Sequence, residues 1–173
     1  MSFSPADATI RLIGPDDSIA DLTEFLHRAY AQLAAQGLLY TATWQTDDVT
    51  RTRIARGECY LARLGGTLCG TIIFKSASQT SGNPWYDKGD VASFGQFAVD
   101  PGLQRKGLGR TLIALAEHRA LETGAHEIAL DTAEPATHLI ALYAKLGYRF
   151  IEYAQWGTTN YRSVIMSKTL RQD

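Results

Sequence analysis

Phe97-Ala98-Val99-Asp100-Pro101-Gly102-Leu103-Gln104-Arg105-Lys106-Gly107-Leu108-Gly109-Arg110 is the stretch that decides the fold. The residues leading into it, Val91 to Val99, read as a strand, and Asp100-Pro101-Gly102 ends it. From Gly107 to Thr123 the period changes to helical, with Leu108, Leu112, Ile113, Leu115, Ala116 and Ala120 on one apolar stripe. The junction is therefore a strand, a short loop and a helix opened by two glycines. Backbone N–H groups at such a helix start lack internal partners and sit at the positive end of its dipole. Glycine lets a phosphate come close to the backbone, and Arg105, Lys106 and Arg110 add positive charge beside it. The pattern suits an anion such as a phosphate. It is not a P-loop, because no Gly-Lys-Ser/Thr follows at the required spacing, and it lacks the Gly-x-Gly-x-x-Gly of a dinucleotide site. Taken alone, the loop could also be a basic turn before an amphipathic helix.

Upstream, Thr9 to Ile13 reads as a short strand. A helix capped by Asp16 or Asp17 is expected to run through Gln36, with Gly37 stopping it. A shorter helix is expected from Asp47 to Arg56. Cys59 to Leu64, Gly65-Gly66 and Thr67 to Lys75 form a hairpin pattern. With a two-residue turn, Cys59 should lie opposite Ile72 and Cys69 opposite Ala62. The two thiols should then point to opposite faces of the sheet, which argues against a disulfide. Ser76 to Asp90 reads as a loop, although Trp85 and Tyr86 are more than a linker needs. Downstream come a strand over Glu127–Asp131, a helix over Thr137–Leu146 closed by Gly147, and strands over Tyr148–Tyr153 and Tyr161–Lys168.

The order β-α-α-β-β-β-α-β-α-β-β predicts one mixed α/β domain over residues 1–173. A chain of this size buries roughly 70% of its unfolded surface, so it needs no disulfide or metal to fold. The 17 basic and 18 acidic residues leave a net charge of −1. That balance gives no support for broad binding to nucleic acid or an anionic membrane. No apolar run could span a bilayer. Met1 to Asp7 lacks the basic and apolar regions of a secretory signal. Reduced cysteines and no export signal point to the cytoplasm.

Gln104-Arg105-Lys106-Gly107-Leu108-Gly109 resembles the Gln/Arg-x-x-Gly-x-Gly/Ala pyrophosphate motif of the GNAT N-acetyltransferase superfamily. Ala141-Leu142-Tyr143-Ala144-Lys145-Leu146-Gly147-Tyr148 is similar to that family's second signature, a Leu-Tyr-x-x-x-Gly-Phe/Tyr helix end. Phe97 to Pro101 is similar to its central strand and exit, and Tyr60 to Phe74 to its second and third strands. The likeness covers nearly the whole chain, most sharply Val91 to Tyr148.

The resemblance implies a mixed, mostly antiparallel sheet flanked by helices. In it a splayed parallel pair, Val91–Val99 and Glu127–Asp131, forms an acyl-CoA cleft. It implies acetyl-CoA as co-substrate and direct transfer to a primary amine in a ternary complex. Phe97, Ala98 and Val99 would pair with the pantetheine arm like an added strand, and one of their N–H groups would face the thioester oxygen. The pyrophosphate would sit on the N–H groups from Arg105 to Arg110. Tyr143 matches the family's tyrosine near the CoA sulfur and would act as general acid. The alternative is a packing tyrosine on the stripe of Leu139 and Leu146.

Many family members carry a glutamate base early in the central strand, where this chain has Ser93. Asp131 aligns with a position that some members use for a carboxylate base. Glu134 and a water relay remain open, and Asp131 could instead cap the following loop. Ala136 stands where the family often has an asparagine touching the pantetheine.

His27, His118, His126 and His138 show no metal spacing, and no metal is expected. The acceptor, a small-molecule or peptide amine, would lie between the first helices and the final hairpin. Tyr30, Tyr40, Trp44, Trp85, Tyr86, Trp156 and Tyr161 are candidates there, with Asp47, Asp48 and Asp87 for a cationic group. Family members are often dimers, so a homodimer is carried over from the resemblance. The rival readings are a non-catalytic acyl-CoA-binding regulatory domain and a transferase using another acyl-CoA.

Overall fold

A computed structural model describes residues 2–171. Met1, where the N-terminal stretch begins, and Gln172 and Asp173 at the end of the expected domain lie outside the described residues. The strands are β1 (Thr9–Leu12), β2 (Glu58–Leu64), β3 (Thr67–Lys75), β4 (Val91–Val99), β5 (Glu127–Ala133), β6 (Arg149–Ala154) and β7 (Ser163–Thr169). The helices are α1 (Ile19–Ala29), α2 (Ala31–Ala35), α3 (Thr41–Trp44), α4 (Asp47–Ile54), α5 (Leu108–Glu122) and α6 (Thr137–Lys145). The strands form one mixed sheet in the order β1-β2-β3-β4-β5-β7-β6. Every neighbouring pair is antiparallel except β4–β5.

The expected helix through Gln36 bends at Tyr30, whose ψ of 2° separates α1 from α2. Ser18, not Asp16 or Asp17, caps α1 by accepting from the Asp21 N–H. Asp17 instead pairs with Arg11 and Arg63, and Arg11 first of all holds its carboxyl far below the usual range. Gly37 stops α2 as expected: it is left-handed, its N–H reaches the Ala34 carbonyl, and the Leu38 N–H reaches Leu33.

The β2–β3 hairpin begins in the expected register, with Leu64 opposite Thr67, but a bulge follows. Arg63 lies opposite Leu68 and Ala62 opposite Gly70, so Cys69 is the extra residue. Cys59 therefore faces Ile73, not Ile72. The cysteines still lie on opposite faces, in different core clusters, and both are free. Burial pushes the Cys59 thiol up to about 11, which makes it inert at neutral pH.

Two features shape the centre. β4 and β5 pair only from Val91/Glu127 to Ser93/Ala129. Beyond that, β4 continues along β3 and β5 along β7, and the sheet splays open. β4 also carries a bulge: Gly95 lies opposite Ile73 and Ala98 opposite Thr71, with Gln96 at φ 46° between them. On one face, α5 and α6 bury Leu108, Leu112, Ala116 and Tyr143 against Ile72, Phe94, Ile128 and Leu130. On the other, α1 and α3 bury Leu22, Phe25, Leu26 and Ala42 against Cys59, Leu61, Ile73 and Ala98. Among the described residues no helix is long and apolar enough to cross a membrane.

Candidate active site

The loop between β4 and α5 is built by its backbone. Asp100 accepts from the Gly102 N–H, and a short 3-10 turn over Pro101–Leu103 follows. Arg105 at φ 63° and Gly107 at φ 94° then fold the chain onto the start of α5. No side chain caps that helix. From Gln104 to Arg110 no backbone N–H donates to a protein group among the described residues, whereas Thr111 bonds back to Gly107. The N–H groups of Leu108, Gly109 and Arg110 thus face outward from the helix start. Arg105, Lys106 and Arg110 are exposed and without ion pairs among the described residues.

The glycines do different work. Gly107 holds a left-handed conformation, and a Cβ there would stand 3.0 Å from Pro5 Cγ. Gly109 brings α5 close to β4, where a Cβ would stand 3.1 Å from the end of the Phe97 ring. Beside it, Phe97, Ala98 and Val99 end the splayed edge of β4. The Phe97 carbonyl already accepts from the Tyr30 hydroxyl at 2.6 Å, and the Gln104 amide reaches the Val99 carbonyl at 3.5 Å.

Tyr143 sits in the last turn of α6. Gly147, at φ 96°, lets its own N–H reach the Ala144 carbonyl and the Tyr148 N–H reach the Tyr143 carbonyl. That double closure, a Schellman ending, is the physical content of the Leu-Tyr-x-x-x-Gly-Tyr pattern. The Tyr143 ring packs on Phe94 and Tyr148, with centroids 6.3 and 6.2 Å away. Its hydroxyl makes no hydrogen bond to a protein group among the described residues and is not fully sealed from solvent. Burial first, then Tyr30, Tyr40 and Asp131, push its pKa well up, so it keeps its proton. The ring thus packs as expected of a tyrosine on the α6 stripe, and packing of the ring leaves the hydroxyl a separate question.

Across the gap, on the α1–α4 face, Asp131 and Ser93 line one cavity of about 140 Å³ with Tyr86, Phe94, Gly95, Arg53, Arg56 and Lys75. Asp131 accepts from the Tyr86 hydroxyl at 2.9 Å and the Trp156 indole N–H at 3.0 Å. Crowding by protein raises its pKa, while Tyr86, Trp156, Arg53 and Lys75 pull the other way. The side chain still touches solvent, so the desolvation is felt in full only when something covers the cavity. Ser93 is buried and bonded to the Thr80 hydroxyl at 2.8 Å. Glu134 is held by Arg162 in a two-point ion pair. Ala136 is buried before α6 beside Leu38 and Ala133 and offers no polar group.

The aromatic candidates separate into three groups. Tyr86 and Trp156 stack at 6.3 Å and hold Asp131. Tyr30, Tyr40 and Tyr161 form a row with centroids 5.5 and 5.0 Å apart. The Tyr40 hydroxyl meets Thr132 and the Ala133 N–H at the end of β5. Trp44 is exposed on α3, and Trp85 packs beside Lys88 and Arg149. The acidic candidates lie off the cavity: Asp48 pairs with Arg51, Asp87 accepts from the Gly82 N–H, and Asp47 is in the first turn of α4. Among the described residues no three His, Cys, Asp or Glu side chains come together as metal ligands would.

The cations Arg53, Arg56 and Lys75 were not singled out from sequence. Arg53 and Arg56 are three apart, a helical same-face spacing that could have flagged them. Beneath them lies a second unanticipated feature. Buried Gln45 accepts from Arg53 at 2.7 Å and donates to Thr50 and Gln96. Gly95 inside a strand was the available signal for that bulge.

A half-open mixed sheet, splayed at its parallel pair, thus carries free amides at one side of its gap. The chain belongs to the GNAT acetyltransferase family, whose model, "Acetyltransferase (GNAT) family", matches residues 20–148; it is an acyltransferase. It is 27% identical over 154 residues to the S-(2-succino)cysteine N-acetyltransferase of Bacillus subtilis (strain 168), covering 88% of this chain and 90% of that one. It is 32% identical over 103 residues to the uncharacterized N-acetyltransferase YvbK of the same organism. That match spans 59% of each chain. Its fold is similar to that of a GNAT family acetyltransferase from Elizabethkingia anophelis with acetyl-CoA bound. There the TM-score is 0.66 at 16% identity, over 94% of this chain and 98% of that one.

Proposed function

We propose that the chain acts as one N-acetyltransferase domain, passing the acetyl group of acetyl-CoA directly to a primary amine in a ternary complex. The observation that carries this reading is the junction itself: seven consecutive unpartnered N–H groups, Gln104 to Arg110, at the mouth of a sheet that splays after three residue pairs. The residues fit a pyrophosphate. Gly107 and Gly109 leave the backbone bare, and Arg105, Lys106 and Arg110 have no other partner. Phe97, Ala98 and Val99 supply the free strand edge for the pantetheine, with Tyr30 already holding one carbonyl.

Acetyl-CoA supplies the activated thioester. Asp131 accepts the protons that the attacking nitrogen must lose, and Tyr86 and Trp156 fix its orientation. Tyr143 presents its proton to the departing sulfur. A C–N bond forms and a C–S bond breaks; the ammonium nitrogen loses two protons to solvent by way of Asp131, Tyr143 gives one to the sulfur and takes a replacement from solvent, and one proton is released overall. Because burial raises the Tyr143 pKa, its main contribution is a hydrogen bond to developing thiolate charge, the stronger charge-assisted kind.

The relative named for S-(2-succino)cysteine supports a small amine rather than a peptide as acceptor. Two free, buried cysteines suit a reducing compartment, and we place the enzyme in the cytoplasm. A homodimer would be carried by the exposed β6 edge, where Phe150 and Tyr153 meet edge to face with centroids 5.0 Å apart.

The test is a turnover assay with acetyl-CoA and an amine panel, read by thiol release and product mass. One acetylated amine per thiol, with intersecting initial-rate plots and no acetyl-protein adduct, is expected. Parallel plots with a trapped acetyl-protein would replace direct transfer by a covalent route.

A further inference from the structure

The acceptor cavity carries three cations and one carboxylate. Arg53 projects from α4, Arg56 follows that helix and Lys75 ends β3, and all three line the wall opposite Asp131. None has a carboxylate within ion-pair distance among the described residues, although most other basic side chains of the α-helices and strands do. Arg53 is half-buried and its one hydrogen bond goes to neutral Gln45, which pins the guanidinium in place. Lys75 is half-buried, and its ammonium makes no hydrogen bond to a protein group among the described residues. Desolvated cations left unpaired are costly, and proteins retain them where a ligand supplies the counter-charge.

We propose that the acceptor is an α-amino acid with an acidic side chain, whose side-chain carboxylate lies on Arg53, Arg56 and Lys75 while its amine lies at Asp131. This deepens the acetyl-transfer reading and rests on it. The polarity fits in both directions. A diamine or polyamine would bring a second cation to a wall that already holds three. An amino acid matches it at both ends. Arginine is suited to grip a carboxylate at two points, and lysine adds a mobile point charge. The same wall disfavours the ammonium form of the bound amine, which helps Asp131 to deprotonate it where Ser93 replaces a base.

The experiment uses the full chain with acetyl-CoA. The acid-bearing probes are aspartate, glutamate and 2-aminoadipate. Controls are glutamine, glutamate dimethyl ester, spermidine and phosphoethanolamine. Calorimetry first establishes acetyl-CoA binding in the absence of any amine. At least one dicarboxylate probe is expected to exceed its amide or ester in kcat/KM by about 100-fold, as for a site whose buried polar groups need their partner. Lys75→Met and, separately, Arg56→Gln should each cut that preference by about tenfold through KM while acetyl-CoA affinity holds. Arg53→Gln should do more. Because the Lys75 ammonium makes no hydrogen bond to a protein group among the described residues, its variant tests the wall even if the Arg53 variant misfolds.

Failure to bind acetyl-CoA would sink the acetyl-transfer reading itself. Binding of acetyl-CoA with equal or better use of the ester, of spermidine or of phosphoethanolamine would overturn only the acceptor assignment. So would binding with no turnover of any dicarboxylate.

Discussion

Tyr143→Phe separates packing from chemistry in one atom. The ring buries against Phe94 and Tyr148, and phenylalanine keeps those contacts. The hydroxyl has no protein partner among the described residues, so its loss leaves nothing unsatisfied and should change stability by less than about 0.5 kcal/mol. The Schellman ending that places residue 143 is made by its carbonyl, not its side chain. Acetyl-CoA affinity should therefore stay within about twofold, because the free amides of Gln104 to Arg110 are untouched. What disappears is one preorganised donor aimed at developing charge, an effect of about 10²–10³ in kcat. At 1.36 kcal/mol per decade that is ~2.7–4 kcal/mol of barrier. The assay is initial-rate thiol release at saturating acetyl-CoA, paired with calorimetry and a melting curve. A variant that melts normally, binds normally and turns over within about threefold of wild type would refute the assignment. The Tyr143 group would then be a packing residue.

Other outcomes follow from neighbouring residues. Asp131→Asn should lower kcat by about 10²–10⁴, the usual range for a positioned base, and should abolish the acid limb of the pH profile. That limb should lie above pH ~4, the ordinary aspartate value. Crowding by surrounding protein raises the Asp131 pKa although the residue is exposed, so activity is present above the raised value and lost as pH falls through it, with Tyr86, Trp156, Arg53 and Lys75 facing the group and holding the shift in check. A wild-type profile flat to pH 4 would contradict this. Gly107→Asp should abolish acetyl-CoA binding in a titration, because the position is left-handed, its Cβ would press on Pro5, and a carboxylate would stand where phosphate belongs. Normal binding would move the phosphate site elsewhere. Leu108→Ala removes a fully buried side chain from the α5–β3 interface and should cost about 2–5 kcal/mol in denaturant unfolding. A cost near zero would mean that α5 is anchored by other contacts.

The sequence was most legible where local chemistry decides the structure. β4 falls on Val91–Val99 as read, because a β-rich run meets Asp-Pro-Gly at one end. Gly37 and Gly147 end their helices as read, because the left-handed turn they make is a local requirement. Both signature motifs translate into backbone geometry, bare amides in one and a Schellman closure in the other. Legibility failed where partners come from elsewhere in the chain. The bulge at Cys69 is tied to Gly70 lying under Leu108 and Leu112, contacts some forty residues away in sequence. The bend at Tyr30 accompanies its hydroxyl reaching Phe97. The cationic wall was hidden for the same reason. Arg53, Arg56 and Lys75 belong to no sequence motif, and only the fold brings α4 and the end of β3 to one cavity. Asp47, Asp48 and Asp87 stand near aromatics in the sequence but do not line the cavity that holds Asp131.

The most direct measurement is a calorimetric titration of the protein with acetyl-CoA, with free CoA and ATP as controls. Saturable binding of acetyl-CoA and CoA, with ATP much weaker, is the result expected of a phosphate cradle at Gln104–Arg110 joined to a pantetheine edge at Phe97–Val99. No binding of acetyl-CoA, or ATP binding as tightly, would contradict the central claim that this gap in the sheet is an acyl-CoA site.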